Sequence, residues 1–195
     1  VKLFYEDAFM AEFDATVLSC EPYKDGYKAV LDRTAFFPEG GGQYGDTGYL
    51  DEIRVTDTKE KDGVIFHIID APIEAGKSAH GKLDWEKRFD RMQQHSGEHI
   101  VSGIVHRRFG YNNVGFHLAD DYCTMDFDGP ITKEQLLEIE NEANQVIFRN
   151  FPVNVLYPAK EELHELDYRS KIEIEGQVRI IEIPGVDLCA CCAPH

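Results

Sequence analysis

The sequence predicts an α+β protein, a small N-terminal β-barrel followed by an α+β sandwich, and three observations carry that prediction. Short strand-like runs separated by turn residues fill the stretch from Ala11 to about Asp84. At Asp84 the apolar period lengthens from about two to about 3.6. Beyond it helical and strand-like patterns alternate, as they do when helices pack on a sheet. The length of 195 residues suits one domain or two small ones, and 43% hydrophobic residues suffice for a core. The reading divides the chain into 1–84 and 85–195.

In the first part, strands are expected at Ala15 to Cys20, Tyr27 to Leu31, Gly48 to Thr56, Val64 to Ile69 and Ala79 to Leu83. The turn signals Lys24-Asp-Gly26, Pro38-Glu-Gly-Gly-Gly42 and Lys61-Asp-Gly63 separate them. Asp84 opens a helix whose apolar positions Phe89, Met92, Ile100, Ile104 and Val105 follow the helical repeat, with Gly110 just past its end at Phe109. Two strands, Val114 to Ala119 and Tyr122 to Phe127, flank an acidic turn at Asp120 and Asp121. Thr132 and Gln135 form a capping box for a second helix, with Leu136, Leu137, Ile139, Ala143, Val146 and Ile147 as its buried stripe. Strands at Val153 to Tyr157 and Val178 to Ile183 enclose a short helix from Lys160 to Leu166.

Lys plus Arg is 20 against 36 Asp plus Glu, a formal net charge of −16. That is the wrong sign for holding nucleic acid by bulk electrostatics, so an RNA partner must meet a local patch. Lys82, Lys87, Arg88, Arg91, Arg107, Arg108 and Arg149 supply either that patch or an ordinary salt-bridged surface, and the acids from Glu134 to Glu142 and at Glu161, Glu162 and Glu165 read as solvated helix faces. Trp85 and Tyr111 fit core or stacking roles equally. No run reaches the ~18 apolar residues of a membrane span, and the N-terminal segment lacks signal-peptide regions, so a cytoplasmic location is expected.

Of five cysteines, Cys20 and Cys123 stand alone, while Cys189, Cys191 and Cys192 crowd toward His195. An odd, clustered set favours metal ligation over disulfides. The chain stops inside that cluster, which suggests that more sequence follows.

Three segments carry chemistry. His95-Ser-Gly-Glu-His99 lies within the first helix, where four residues bring both imidazoles to one face, as metal ligands or as solvated polar side chains. Cys191 and His195 have C-x3-H spacing and complete a Cys/His3 tetrahedral zinc set with His95 and His99. A neighbouring thiol could replace Cys191, and Cys189 to Cys192 also reads as a C-x-x-C redox pair lacking its usual strand-to-helix context. In the loop from Asp32 to Gly48, Gly40, Gly41 and Gly42 let the backbone approach a ligand or make a tight turn, while Gln43 and Asp46 offer hydrogen bonds beside them. It lacks the P-loop pattern.

The ordered triple of the F-x-P-x-G-G-G-Q-x-x-D-x-G loop at Phe36 to Gly48, the H-x3-H helix and the late C-x3-H resembles the editing domain of alanyl-tRNA synthetases and its free-standing AlaX relatives. The resemblance covers nearly the whole chain. It implies a trans-editing hydrolase that deacylates mischarged tRNA(Ala), chiefly Ser-tRNA(Ala) and also Gly-tRNA(Ala), without ATP, on a fold shared with threonyl-tRNA synthetase. It implies one Zn2+ held by His95, His99, Cys191 and His195. It makes Thr34 the reader of the serine hydroxyl and Gln43 a lining residue of the editing pocket. The chain departs from the usual C-G-G-T-H turn, reading Cys191-Cys-Ala-Pro-His195.

The physics agrees. A pocket built for alanine cannot strongly reject serine, whereas a second site that hydrogen-bonds the extra hydroxyl rejects alanine by leaving its own polar groups unpaired. Four protein ligands make a closed zinc, which organises rather than hydrolyses unless water displaces one of them; with the zinc closed, attack falls to a water held near Thr34 and Gln43. Two rival readings stand. His95-Ser-Gly-Glu98-His99 is also H-x-x-E-H, a metallopeptidase signature with Glu98 as general base. The chain would otherwise be a non-catalytic, zinc-stabilised RNA-binding module.

Overall fold

The computed structural model describes residues 1–119, 122–170 and 176–195; the acidic turn expected at Asp120 and Asp121 lies outside the described residues. The described residues form two compact units, residues 1–92 with Pro194 and residues 93–193 with His195.

The first unit is a closed, antiparallel six-stranded barrel. Its strands are β1 (Glu12–Tyr23), β2 (Gly26–Leu31), β3 (Gly48–Leu50), β4 (Ile53–Lys61), β5 (Val64–Ile69) and β6 (Ser78–Leu83). They close in the order β1-β2-β5-β4-β3-β6, with β6 returning to β1. Alternation decides which side chains enter: Phe13, Ala15 and Val17 of β1 point inward and pack with Ala29, Leu31, Phe36, Leu50, Val55, Ile69 and Leu83. Each of the valine, leucine, isoleucine and phenylalanine side chains among them, fully buried, contributes roughly 1.5–3 kcal/mol. The single strand expected from Gly48 to Thr56 is two, because Asp51 takes a positive φ of 52° and turns the chain between β3 and β4.

Helix α1 (Trp85–Phe109) begins where the period changes: the Asp84 carbonyl accepts the first helical bond from the Arg88 N–H, while the Asp84 carboxylate pairs with Arg54. Gly110 ends it with a φ of 72°. Phe89 is exposed rather than buried and stacks on Trp85.

The second unit holds the β7 (Asn113–Leu118) and β8 (Cys123–Phe127) hairpin, α2 (Lys133–Arg149), β9 (Asn154–Leu156), α3 (Lys160–Leu163), β10 (Ile180–Ile183) and β11 (Asp187–Ala190). The last three strands form one antiparallel sheet in the order β11-β10-β9. Strand β11 falls in the stretch that the sequence reading assigned to cysteine chemistry alone. Thr132 and Gln135 form the expected reciprocal capping box. Only Ile139, Ala143 and Val146 of the expected α2 stripe are buried, against Ile100, Ile104, Val105 and Ile183; Leu136, Leu137 and Ile147 are 56–58% exposed. The i, i+4, i+7 row is wide enough for one narrow contact, and residues to its sides fall outside it. Tyr111 belongs with the partners of this core and stacks on Phe109. Among the described residues no helix is long and apolar enough to cross a membrane.

Candidate metal centre and glycine-rich loop

In the second unit, α1 carries His95 and His99 one turn apart, both buried, so the reading of solvated histidines does not hold here. Strand β11 and the residues after it bring up the other half. Asp187 and Cys189 share the buried face of β11, and Cys191 continues their parity. The donor atoms of His95, His99, Cys191 and His195 all lie within 4.8 Å of one another. Cys191 Sγ is 3.7 Å from His95 Nε2 and 3.5 Å from His195 Nε2. A tetrahedral zinc with its usual bond lengths separates a sulfur and a nitrogen ligand by about 3.5 Å, so these residues fit the ion.

The surroundings favour the same outcome. Burial, with His99 and His95 close by, drives the His195 pKa well below its ordinary value, keeping the imidazole neutral as a ligand must be. Burial pushes the Cys191 thiol up to about 12, a bias that a cation among the ligands would reverse. The Ala193 N–H donates to Cys191 Sγ at 3.4 Å, and Arg179 holds the Cys191 and Ala193 carbonyls. Ser96 Oγ lies 3.1 Å from His195 Nδ1. His99 Nδ1 lies 2.9 Å from Asp187 Oδ2, and Arg169 grips Asp187 through Nε at 2.7 Å and Nη2 at 2.8 Å. Burial alone would raise the Asp187 carboxyl, but the hydrogen bonds from His99 and Arg169 outweigh it and hold the pKa below its ordinary value.

The other two thiols are placed differently. Cys192 is exposed. Cys189 is buried and forms a second close group with His99 and Asp187. Glu98, which sequence reasoning treated only as a rival base, is a buried carboxylate. Its Oε1 accepts from Ser102 at 2.6 Å and Asn113 at 2.7 Å, and its Oε2 is 3.8 Å from His99 Nε2.

In the first unit the glycine-rich loop is a tight turn: Gly40 and Gln43 exchange both backbone hydrogen bonds at 3.0 Å around Gly41 and Gly42, whose φ values are 62° and 82°. Positive φ at both central positions is the reason for glycine there. Gln43 beyond the turn is buried. Asp46 is also buried, and its Oδ2 accepts from the Phe37 N–H at 2.7 Å and from Arg88. Arg88 continues to the Ala35 and Ala8 carbonyls, and Arg91 reaches the Gly45 carbonyl. These two arginines are therefore buried loop anchors and not part of an exposed basic patch. Arg107 and Arg108 pair with Glu138 and Glu142, the salt-bridged alternative.

Thr34 is 3% exposed, and its hydroxyl is engaged on two sides. Thr34 Oγ1 lies 2.8 Å from His67 Nε2 and accepts from the Phe36 N–H at 3.1 Å. His67 Nδ1 is 3.1 Å from the Ala29 carbonyl and must carry the ring proton to bond there, so Nε2 accepts and Thr34 donates to it. Burial lowers the His67 pKa to about 4, which keeps the ring neutral. Sequence reasoning missed His67; its signal was its parity with Ile69 on the inward face of β5. Missed too were Asp187 and Arg169, of which Asp187 shares its parity with Cys189 and Cys191.

The pattern for the family "tRNA synthetases class II (A)" matches residues 7–87. The alanyl-tRNA editing protein AlaX-L of Pyrococcus horikoshii is 35% identical, the match covering 100% of this chain and 50% of the relative. The alanyl-tRNA editing protein Aarsd1 of Rattus norvegicus is 32% identical over 99% of this chain and 51% of its own. The alanine–tRNA ligase of Ignicoccus hospitalis is 32% identical over 100% of this chain and 22% of the ligase. The chain thus spans about half the length of the editing proteins it matches. Along its whole length the chain is thus similar to part of the alanyl-tRNA editing proteins and to part of an alanine–tRNA ligase.

Proposed function

We propose that this chain is the editing module of a trans-acting aminoacyl-tRNA deacylase that hydrolyses the ester of mischarged tRNA(Ala), with Ser-tRNA(Ala) the chief substrate and Gly-tRNA(Ala) a second, in the cytoplasm. The observation that carries the reading is the convergence of His95, His99, Cys191 and His195, the paired motifs of the family, on one buried point. The partner is the acceptor end of the mischarged tRNA. In this reading residues 1–84 contribute the amino-acid-reading loop and residues 85–195 the metal-holding domain.

The cofactor is one Zn2+ on those four side chains. Three neutral imidazoles and one thiolate suit zinc. When bound, zinc supplies a closed, charge-bearing anchor for the substrate end. The remaining work belongs to the protein. Thr34 has its proton committed to His67 and one lone pair committed to Phe36, so its remaining capacity is to accept. A serine hydroxyl can donate to it and an alanine methyl cannot, which is the discrimination editing needs. Gln43 orients the attacking water; Gly40, Gly41, Gly42 and Asp46 shape the binding loop, and the Asp46 bond to Arg88 supports that role.

One observation favours a second reading, a metallopeptidase: the buried Glu98 carboxylate faces His99 Nε2. Against it, four protein donors leave the water of a peptidase zinc no position, and Glu98 Oε1 is held by Ser102 and Asn113. Deacylation of Ser-, Gly- and Ala-charged tRNA(Ala) is the test. Faster release of serine than alanine is expected; no release of any amino acid would leave a zinc-stabilised RNA-binding module.

A further inference from the structure

We infer that Asp187, gripped by Arg169 and admitted by Gly103, is the positioning residue that fixes His99 as a metal ligand through Nε2. The inference rests on the metal reading above. His99 Nδ1 lies 2.9 Å from Asp187 Oδ2. A carboxylate only accepts, so the proton sits on Nδ1 and the lone pair of Nε2 turns toward the other three ligands. Neither tautomer nor ring rotation is left to chance.

The carboxylate is itself fixed. Arg169 donates to Oδ1 from Nε and to Oδ2 from Nη2, a two-point grip that sets the carboxylate plane. Arg169 has no freedom to drift, because its backbone is bonded along β11: its N–H reaches the Leu188 carbonyl at 2.8 Å and its carbonyl receives the Ala190 N–H at 2.9 Å. Asp187 and Arg169 side chains are 2% and 12% exposed, so this pair is shielded from water.

Gly103 explains how Asp187 reaches the ligand. It lies one turn beyond His99 in the interior of α1, where glycine is disfavoured. A Cβ there would stand 2.5 Å from the Val186 carbonyl oxygen and 2.8 Å from Asp187 Cβ. Glycine therefore lets the start of β11 lie against the helix at the level where the Asp187 carboxylate meets His99.

The same contacts decide the role of the second close group, His99, Asp187 and Cys189. Arg169 occupies both oxygens of Asp187 and puts a positive charge where a second cation would have to sit. That group supports the first centre and does not hold a second ion.

The test uses the full chain loaded with zinc, with affinity read by chelator competition, the ligand set read from the absorption of the cobalt-substituted protein, and folding read from the thermal midpoint of the metal-free form. The parent is expected to hold one zinc. Asp187→Asn keeps the shape and removes the charge, and should weaken zinc by about 10- to 100-fold while keeping the thiolate-to-cobalt band. Gly103→Ala changes no polar group and should weaken zinc in the same direction by displacing Asp187. Arg169→Gln does so if Asp187→Asn fails to fold. A role confined to folding would lower the metal-free midpoint and leave affinity alone. Zinc affinity within twofold of the parent in a folded Asp187→Asn overturns the inference and spares the metal reading. A second tightly held zinc in the parent overturns the support role of the Cys189 group. A parent that binds no zinc removes both.

Discussion

At Thr34 and His67, one hydrogen-bond chain ties proposed specificity to barrel stability. Thr34→Val removes the partner of the buried Phe36 N–H and of His67 Nε2, so it should cost about 1–3 kcal/mol and also narrow the preference for Ser-tRNA(Ala) over Ala-tRNA(Ala). Thr34→Ser should restore both. A Val variant that loses stability but keeps the preference would make Thr34 a barrel residue only. His67 makes a pH prediction. Its folded value of about 4 lies below the ordinary 6.5, so between the two the unfolded chain binds more protons and stability is lost as pH falls through that window. The loss approaches roughly 3 kcal/mol, and His67→Gln should flatten it. Equal pH slopes for parent and variant in denaturant titrations would refute this. Glu98→Gln separates the two enzyme readings: a peptidase base contributes ~10² to 10⁴-fold, whereas deacylation should largely survive. Peptide cleavage lost in the folded variant, without action on charged tRNA, would favour the peptidase. His95 and His99 were legible as candidate ligands because their spacing is local. His67 and the burial of Glu98 were not, since a polar residue inside an apolar strand or helix looks the same whether it faces water or the core.

The elements show what periodicity can and cannot say. Strand β5 and the ends of α1 follow from local signals, apolar runs between turns and a glycine after the last turn. The break between β3 and β4 was not visible because Asp51 and Glu52 interrupt an apolar run without glycine or proline, and an aspartate took the left-handed conformation. Leu136, Leu137 and Ile147 were assigned to the core because α2 has more apolar positions than one contact row needs. The Gly41–Gly42 turn has two candidate roles, turn geometry and backbone approach to substrate. Alanine at either position should cost about 1–2 kcal/mol for its left-handed conformation. If turn geometry is the whole role, the denaturation midpoint moves and the deacylation rate of the remaining folded protein does not; a fall in rate at unchanged midpoint would assign the loop to substrate.

Over the whole chain, the net charge of −16 and the candidate metal centre set the remaining expectations. Of the seven basic residues that the sequence offers as a phosphate patch, Arg88 and Arg91 are buried and Lys82, Arg107 and Arg108 are matched by acids, so the proposed tRNA binding should depend less steeply on salt than seven phosphate contacts would make it. The candidate metal centre joins residues 96 apart in sequence, the middle of α1 and the segment after β11. Closing so long a loop is entropically costly, and in the absence of a cation the contacts holding Cys191 to the histidines are thiol-imidazole approaches of 3.5 and 3.7 Å. Binding to the folded arrangement alone stabilises it by mass action. Chelation should therefore lower the thermal midpoint and raise amide exchange in β11 and the residues after it, while the six-stranded barrel, whose residues supply none of the four ligands, keeps its protection. Added zinc should reverse both changes in the parent and fail to do so in a His95→Ala, Cys191→Ala double variant. Loss of protection in the barrel before β11 would mean that the ion organises something other than the chain's last strand.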